Sequence, residues 1–352
     1  MTYADNHSHS KRASWRRLTV FSLIFIGMTA AGLYTVFDQF AERTITFDAR
    51  LLEPVTLASI GLLLFIYFLM DGLRLHFTLR ALGHNLPFGI LFRLVFINLL
   101  FSNVTPMATG GGFAQIWYLN RQGVPLGRAT AATTIRTLLA VVVIFTLTPI
   151  FLLTLDALTN HKVTGNIGVA LAVFITLYLV FFAVLLFRTR WLIAPLSSLL
   201  NMLQRFHMIS NTHNQRWQFR AKREMLRFSR SFNDYLHGRT LFVGLSILCT
   251  LGFLLSLFSF PALLMYSLGY DVEYLTSVGL LVVTTFIMYF SPTPGASGIS
   301  EGVFGSFFHN ILTGNHLLLV TVTWRFLTIY LGMIVGLIVL QRELLKDKGT
   351  PG

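Results

Sequence analysis

Three charged side chains lie inside otherwise apolar stretches, and together they could bind an anion. Glu301 follows a proline-glycine segment, while Arg136 and Arg325 each lie roughly 10 Å inside an apolar segment. A lone charge at this depth costs several kcal/mol or more, so a partner or a functional cavity is expected. Two guanidinium groups beside one carboxylate leave a positive site suited to a phosphate or another anion. We therefore expect Glu301, Arg136 and Arg325 to converge on one substrate-binding cavity.

Each of these side chains also has a simpler interpretation. Glu301 could form a structural ion pair that locks its segment, instead of coupling to a substrate or a proton. Arg136 and Arg325 could pair with Glu301 or extend their charged ends toward the membrane surface. The sequence leaves these alternatives open.

Two proline-glycine breaks interrupt apolar segments, and they should position the charges. They span residues 103–112 and 291–301. Proline lacks a backbone donor and glycine resists a helix interior, so the backbone is open here and must be lined by protein or water. Paired breaks in the two halves of a membrane protein indicate a transport site. The break residues are Pro106, Gly110, Gly111, Gly112, Pro292, Pro294, Gly295 and Gly298.

Three amides lie near the first break and are further candidates for substrate binding. They are Asn98, Asn103 and Gln115. They could line the same cavity or bond the open backbone groups. The three consecutive glycines could likewise present N–H groups to a ligand or allow close helix packing.

Composition defines the fold class that carries these residues. The chain has 352 residues, of which 54% are hydrophobic and 12% charged, well below the charge of a soluble protein. We predict an all-α polytopic membrane protein with spanning helices at about 18–37, 54–70, 129–155, 165–187, 240–267 and 317–340. The two breaks fall in additional hairpins, 87–120 and 275–313, which are either re-entrant or pairs of short spans.

The order of these segments repeats, which predicts an inverted repeat. Membrane repeat 1 covers 18–155 and membrane repeat 2 covers 165–340, each with one broken hairpin. Thr105-Pro106 parallels Thr293-Pro294, and Arg136 parallels Arg325. Basic tails at 1–17 and 341–352 and a basic segment at 188–239 complete the chain.

The net charge of +13 is concentrated in the tails and in alternate loops. The positive-inside rule then predicts a multi-pass protein of the cell (inner) membrane with both termini in the cytoplasm. Within 188–239, an apolar stripe and an arginine stripe share one helical period, which predicts an amphipathic helix on the anionic cytoplasmic leaflet. We do not expect nucleic-acid binding, and a homo-oligomer is left open. The arginines are Arg216, Arg220, Arg223, Arg227 and Arg230.

Three common nucleotide-binding, metal and catalytic motifs are absent from the sequence. It has no Walker phosphate loop, no His-Glu-x-x-His metal motif and no G-x-S-x-G nucleophile motif. We therefore expect neither enzymatic activity nor a cofactor or metal.

The second break, with Thr105-Pro-Met-Ala-Thr-Gly-Gly112, Arg121-Gln-Gly-Val-Pro125 and Arg136, resembles a flippase-like integral membrane family. That family is named for the transmembrane region of lysylphosphatidylglycerol synthases and includes the multiple peptide resistance factors. Many members carry a glycine, a glutamate and an arginine in the first hairpin, where this chain has Gly111-Gly112-Phe-Ala-Gln115. The resemblance implies movement of lipids or lipid-linked groups between leaflets, with membrane lipids as partners, and it does not imply lysyl transfer.

We therefore expect a lipid flippase-like protein with a polar cavity at the two breaks. Two alternatives stay open at this point: a secondary transporter of a small anion, proton-coupled through Glu301, and an accessory subunit of a lipid-modifying enzyme.

Overall fold

The protein is all-helical throughout the part described by the computed structural model. This part comprises residues 48–155 and 230–346, with isolated positions 27, 173, 175–178, 180 and 223. A short 3-10 helix, Ala49–Leu52, precedes the first long helix. The α-helices are α1 (Pro54–Ala81), α2 (Phe88–Val104), α3 (Thr109–Arg121), α4 (Leu126–Thr154), α5 (Thr240–Ser267), α6 (Tyr274–Met288), α7 (Ile299–Phe308), α8 (Gly314–Arg325) and α9 (Leu331–Lys346).

Four of the helical segments are long and apolar enough to cross a bilayer. They are α1, α4, α5 and the continuous segment Gly314–Glu343, which joins α8 to α9 through a π-helical turn, Phe326–Tyr330. These segments correspond to four of the predicted spans. The predicted spans at 18–37 and 165–187 lie outside the described residues, apart from isolated helical positions.

The helix α1 continues well beyond residue 70, where the sequence prediction ended it. Its end is set by Gly83, which adopts a left-handed conformation at φ 79°. The N–H of Gly83 bonds the Arg80 carbonyl and that of His84 bonds the Leu79 carbonyl, so two open carbonyls of the last turn are satisfied. Asp71 and Arg74 therefore lie within a helix and are buried, not in a polar loop.

Contacts between loops show how the long helices alternate in direction. At one end, which we call the His84 end, His84 after α1 contacts Arg128 at the start of α4, with Arg128 Nη1 2.8 Å from His84 Nε2. At the opposite end, the Asp48 end, Asp48 before α1 lies 3.2 Å from His316 at the start of α8. Tyr270, after α5, bonds the same histidine at 2.7 Å. Hence α1 and α8 start where α5 finishes.

The two loop clusters also perturb the ionisation of their members. Hydrogen bonds from Arg50 hold the pKa of the Asp48 carboxyl well below its usual range, so Asp48 is ionised at neutral pH. Partial burial, and then the charge of Arg128, lower the pKa of the His84 imidazole. His84 is therefore a neutral acceptor for the Arg128 guanidinium near pH 7.

Two short apolar helices, α2 and α6, each lead into one of the breaks. The chain passes from α2 through a 3-10 turn, Pro106–Ala108, into α3, which packs back against α2. It passes from α6 through Pro294–Ala296 into α7, which packs against α6. The two 3-10 turns contact each other, so both breaks meet.

Close packing at glycines joins α9 to the first of these pairs. A Cβ on Gly336 would lie 2.3 Å from the Phe96 carbonyl oxygen, and one on Gly332 would lie 2.6 Å from Leu99 Cδ1. The small residues at 332 and 336 thus let the backbone of α9 approach α2, as expected of a small-xxx-small motif in a membrane helix.

Most of the predicted amphipathic helix lies outside the described residues. Its last two turns, 230–236, are helical, and Arg230 is exposed. Phe232 and Tyr235 belong to the predicted apolar stripe, and they are buried against the His84 end of the helices instead of facing lipid. The Tyr235 hydroxyl bonds Ser246 Oγ at 2.5 Å, so this turn is anchored to protein.

Candidate functional site

At the first break, an uncharged side chain satisfies the open backbone hydrogen-bonding groups. Thr105 is extended, and Met107 and Ala108 after Pro106 both have φ near 53°, in the left-handed region. The Thr105 hydroxyl donates to the Phe101 carbonyl at 2.7 Å and accepts the Gly110 N–H at 2.8 Å. One threonine thus satisfies backbone groups on both sides of the break.

The second break has the same backbone turn, but a charged side chain satisfies its open backbone N–H. Thr293 is extended, and Gly295 and Ala296 after Pro294 have φ of 57° and 53°. Glu301 Oε2 accepts the Gly298 N–H at 2.7 Å and the Ser300 hydroxyl at 2.8 Å. The carboxylate stands in the first turn of α7, where the helix dipole favours negative charge.

Arg325 joins this second break to α8. Its Nε lies 2.8 Å from Glu301 Oε1, and both side chains are fully buried. Its Nη2 donates to the Gly295 carbonyl at 3.0 Å, at the tip of the turn. One arginine therefore neutralises Glu301 and fixes the backbone of the break, which favours the locking role for Glu301.

Arg136 pairs with a carboxylate that the sequence analysis did not consider. Its Nη2 lies 2.5 Å from Asp71 Oδ1, and Arg74 Nε donates to the same oxygen at 2.6 Å. The Arg74 guanidinium also stacks over the Phe253 ring at 3.8 Å. The expected cluster of Glu301 with both arginines is therefore replaced by two clusters with different acids. The i, i+3 spacing of Asp71 and Arg74 was the signal for a helical pair.

A cavity of about 600 Å³ lies where the two breaks meet. Asn103, Met107 and Gly295 from the breaks contribute to it, and Tyr289 forms part of its wall. Among the residues that the structure describes, none that lines the cavity is charged. Met107 is 63% exposed and Tyr289 is 40% exposed, so the cavity is open to the surroundings. Its other hydroxyl-bearing walls are Ser102, Thr134, Thr137, Tyr178, Thr285, Ser291 and Thr293.

Of the predicted amides, Asn103 lines this cavity while the other two connect α2 to α3. Gln115 Nε2 donates to Asn98 Oδ1 at 2.5 Å, and Gln115 is buried. Asn103 Nδ2 donates to the Leu99 carbonyl in its own helix at 2.8 Å. Asn98 and Gln115 thus hold the first hairpin together.

The glycines of the first break differ in what surrounds them. A Cβ on Gly111 would lie 1.8 Å from Ser102 Oγ, and one on Gly110 would lie 2.5 Å from Thr105 Cγ2. Gly112 has open space where a Cβ would stand. Close packing of α3 on α2 therefore explains Gly110 and Gly111, and the Gly110 N–H is already used by Thr105.

The prolines complete the set of predicted residues, and Arg93 forms a further ion pair nearby in sequence. Pro294 is buried and Pro292 is exposed, while Pro106 is half-buried. Arg93 Nη1 lies 2.5 Å from Glu343 Oε1, and this ion pair links α2 to α9.

Comparison with known proteins finds two similarities that cover most of the chain. Residues 14–336 match the family model described as "Lysylphosphatidylglycerol synthase TM region". A UPF0104 membrane protein of Archaeoglobus fulgidus is 24% identical over 329 residues, which is 93% of this chain and 97% of the relative.

Proposed function

Because the chain belongs to the lysylphosphatidylglycerol synthase transmembrane-region family, we propose that this multi-pass membrane protein moves a lipid between leaflets. Its substrate is a phospholipid or lipid-linked headgroup, and its action is flippase-like transport without chemical change. The observation that carries the proposal is the open cavity at the contact between the two breaks. Both termini and the arginine stripe of 216–230 are assigned to the cytoplasmic side, where that stripe contacts anionic lipid.

The proposed architecture is an inverted repeat with two re-entrant hairpins. The α2–α3 pair begins and ends near the His84 end, and the α6–α7 pair begins and ends near the Asp48 end. Their 3-10 turns contact each other, and each turn has an extended threonine, a proline and two left-handed residues. Such matching geometry from opposite ends supports a pseudo-twofold axis between the breaks.

The cavity walls fit a polar headgroup attached to apolar chains. Hydroxyl and amide side chains can exchange hydrogen bonds with phosphate, glycerol or amino groups of a headgroup. The lining residue Met107 is 63% exposed, and Phe290, which follows the lining residue Tyr289 in the sequence, is 47% exposed. These apolar residues allow acyl chains to stay in lipid while the headgroup enters, and alternating exposure of the cavity then moves it across.

A pair of matched substitutions on α4 tests this function. Thr137 lines the cavity, whereas Thr130 lies seven residues earlier on the same helix face and does not. Both are exposed, and both bond a carbonyl four residues before them. The experiment compares Thr137→Trp with Thr130→Trp in vesicles, using headgroup-labelled lipids and quenching from outside.

We expect Thr137→Trp to reduce lipid movement about tenfold or more, because the indole occupies the cavity, while Thr130→Trp keeps the wild-type rate. Equal rates in the two variants would exclude the cavity as the pathway. Competition by a soluble anion, without dependence on the lipid, would favour the small-anion transporter instead.

A further inference from the structure

The cluster of Asp71, Arg74 and Arg136 carries one more positive than negative charge. Both arginines are more than nine-tenths buried, and Asp71 is 3% exposed. The two guanidinium groups share a single carboxylate oxygen, Asp71 Oδ1. By contrast, Glu301 and Arg325 form a balanced pair. The excess charge lies about 15 Å from the His84 end, because Asp71 and Arg136 are each ten residues from that end of their helices.

The cluster also has unused hydrogen-bond donors. Arg74 Nη1 and Arg136 Nε are buried and have no hydrogen-bond acceptor among the described residues. The helices that pack around them, α4, α5 and α6, contain no aspartate or glutamate, and Asp71 is the only acid in α1. A buried cation without a counter-charge is strongly unfavourable. An anion with several oxygen acceptors would balance the excess positive charge and also accept hydrogen bonds from the two unused donors.

The cluster adjoins the wall of the cavity. Tyr289, which lines the cavity, lies within electrostatic range of Arg74 and of the cavity residue Tyr178. Arg136 stands on α4 between Thr134 and Thr137, which also line the cavity, although its side chain turns toward α1. Tyr289 is thus a wall residue of the neutral cavity that is also near the positive cluster.

We propose that Arg74 and Arg136 form an oxyanion site of the phosphate class, reached from the cavity past Tyr289. Arg74 Nη1 and Arg136 Nε donate to the phosphate oxygens, while Asp71 keeps the two guanidinium groups oriented. For a phosphate carried by a lipid headgroup, the inference rests on the proposed function. Free inorganic phosphate has the same chemistry and is the second source.

The test measures the melting temperature of the full purified chain in uncharged detergent. The probes are dioctanoyl phosphatidic acid, dioctanoylglycerol, which lacks the phosphate, and inorganic phosphate, each at matched ionic strength. The key variant is Arg74→Met, which keeps a long side chain over Phe253 but removes the charge. Arg80→Met is its control, because Arg80 is on the same helix and also stacks over a phenylalanine, Phe242.

We expect a phosphate-bearing probe to stabilise the wild type and Arg80→Met, and its apparent affinity to be about 10- to 100-fold weaker in Arg74→Met. Without any probe, Arg74→Met should melt no lower than the wild type, because the Asp71–Arg136 pair stays balanced. If Arg74→Met does not fold, Arg74→Lys replaces it. This variant keeps the positive charge but loses the planar guanidinium group, so the affinity for the phosphate-bearing probe should still fall.

Two results would overturn the site: equal stabilisation by dioctanoylglycerol, or unchanged phosphate affinity in both Arg74 variants. A response to phosphatidic acid alone assigns the lipid as the source, and an equal response to inorganic phosphate assigns a soluble anion. If phosphate binds through Arg74 while Thr137→Trp leaves lipid movement intact, the anion site stands and the proposed transport pathway fails.

Discussion

The two breaks share a backbone turn but differ in how they are held. At the first break, the Thr105 hydroxyl satisfies the Gly110 N–H, and the tip residue Met107 is 63% exposed. At the second, the Glu301 carboxylate satisfies the Gly298 N–H, and Ala296, which corresponds to the exposed Ala108 of the first turn, is 7% exposed. Arg325 then ties the second tip to α8.

The difference shows that an open glycine N–H can be satisfied by a neutral or by a charged group, with different consequences. A hydroxyl completes the first turn within its own hairpin. A carboxylate needs a counter-charge once buried, and that counter-charge comes from another helix. The second break is therefore built into the core, whereas the first is tied mainly to its own hairpin and is the better candidate for movement.

The largest expected effect comes from removing the charge at the second break. Glu301→Gln keeps the size of the side chain but leaves Arg325 as a fully buried cation. We expect a loss of about 3–5 kcal/mol in the free energy of unfolding, with lipid movement lost as well. Denaturation in detergent would measure the first, and the vesicle assay the second.

The double variant Glu301→Gln with Arg325→Met serves as the control, because it removes both charges. It should recover much of the lost stability. A single variant as stable as the wild type would show that this ion pair is not what holds the second break.

A smaller loss is expected from the corresponding change at the first break. Thr105→Val removes the acceptor of the Gly110 N–H and should cost about 1–3 kcal/mol, because a donor is left without its partner. The matched control is Thr109→Val, since Thr109 is exposed and bonds only the Pro106 carbonyl at 3.1 Å. A cost for Thr105→Val as large as that for Glu301→Gln would contradict the proposed difference between the breaks.

The smallest effect on stability is expected at the exposed tip, where accessibility is the useful measurement. In a background of Cys249→Ser, Met107→Cys should react rapidly with a membrane-permeant maleimide, and stability should change by no more than about 0.5 kcal/mol. Ala296→Cys stands at the second left-handed position of the second turn, which corresponds to Ala108 beside Met107, and should react at least about tenfold more slowly, because it is buried. Similar rates would mean that the second break opens as readily as the first.

Four of the predicted spans were predictable because apolar length is a strong signal, but the end of α1 was not. Because charged residues usually mark loops, the predicted span ended at residue 70, and Asp71 and Arg74 were expected outside it. A buried ion pair can lie within a helix, so charged residues do not always mark a loop. The end of α1 is marked instead by the left-handed Gly83.

The site was predictable in its parts and less so in its connections. The breaks could be located because proline and glycine disfavour a helix locally. Which carboxylate each arginine contacts depends on how α1, α4, α7 and α8 pack, and no local pattern specifies this. The neutral cavity wall was missed because threonine and serine in an apolar helix also bond their own backbone, as Thr285 does.

The π-helical turn at Phe326–Tyr330 allows one long helix to have two separate orientations. Before the turn, Arg325 is directed at Glu301 and Gly295 in the second hairpin. After it, Gly332 and Gly336 face α2 of the first hairpin. A π turn changes the rotational phase between the helical segments on either side of it. This span is thus a mechanical link between the two hairpins. Deleting one residue from the turn would rotate Arg325 by about 100° relative to α9, so the span could no longer contact both hairpins at once.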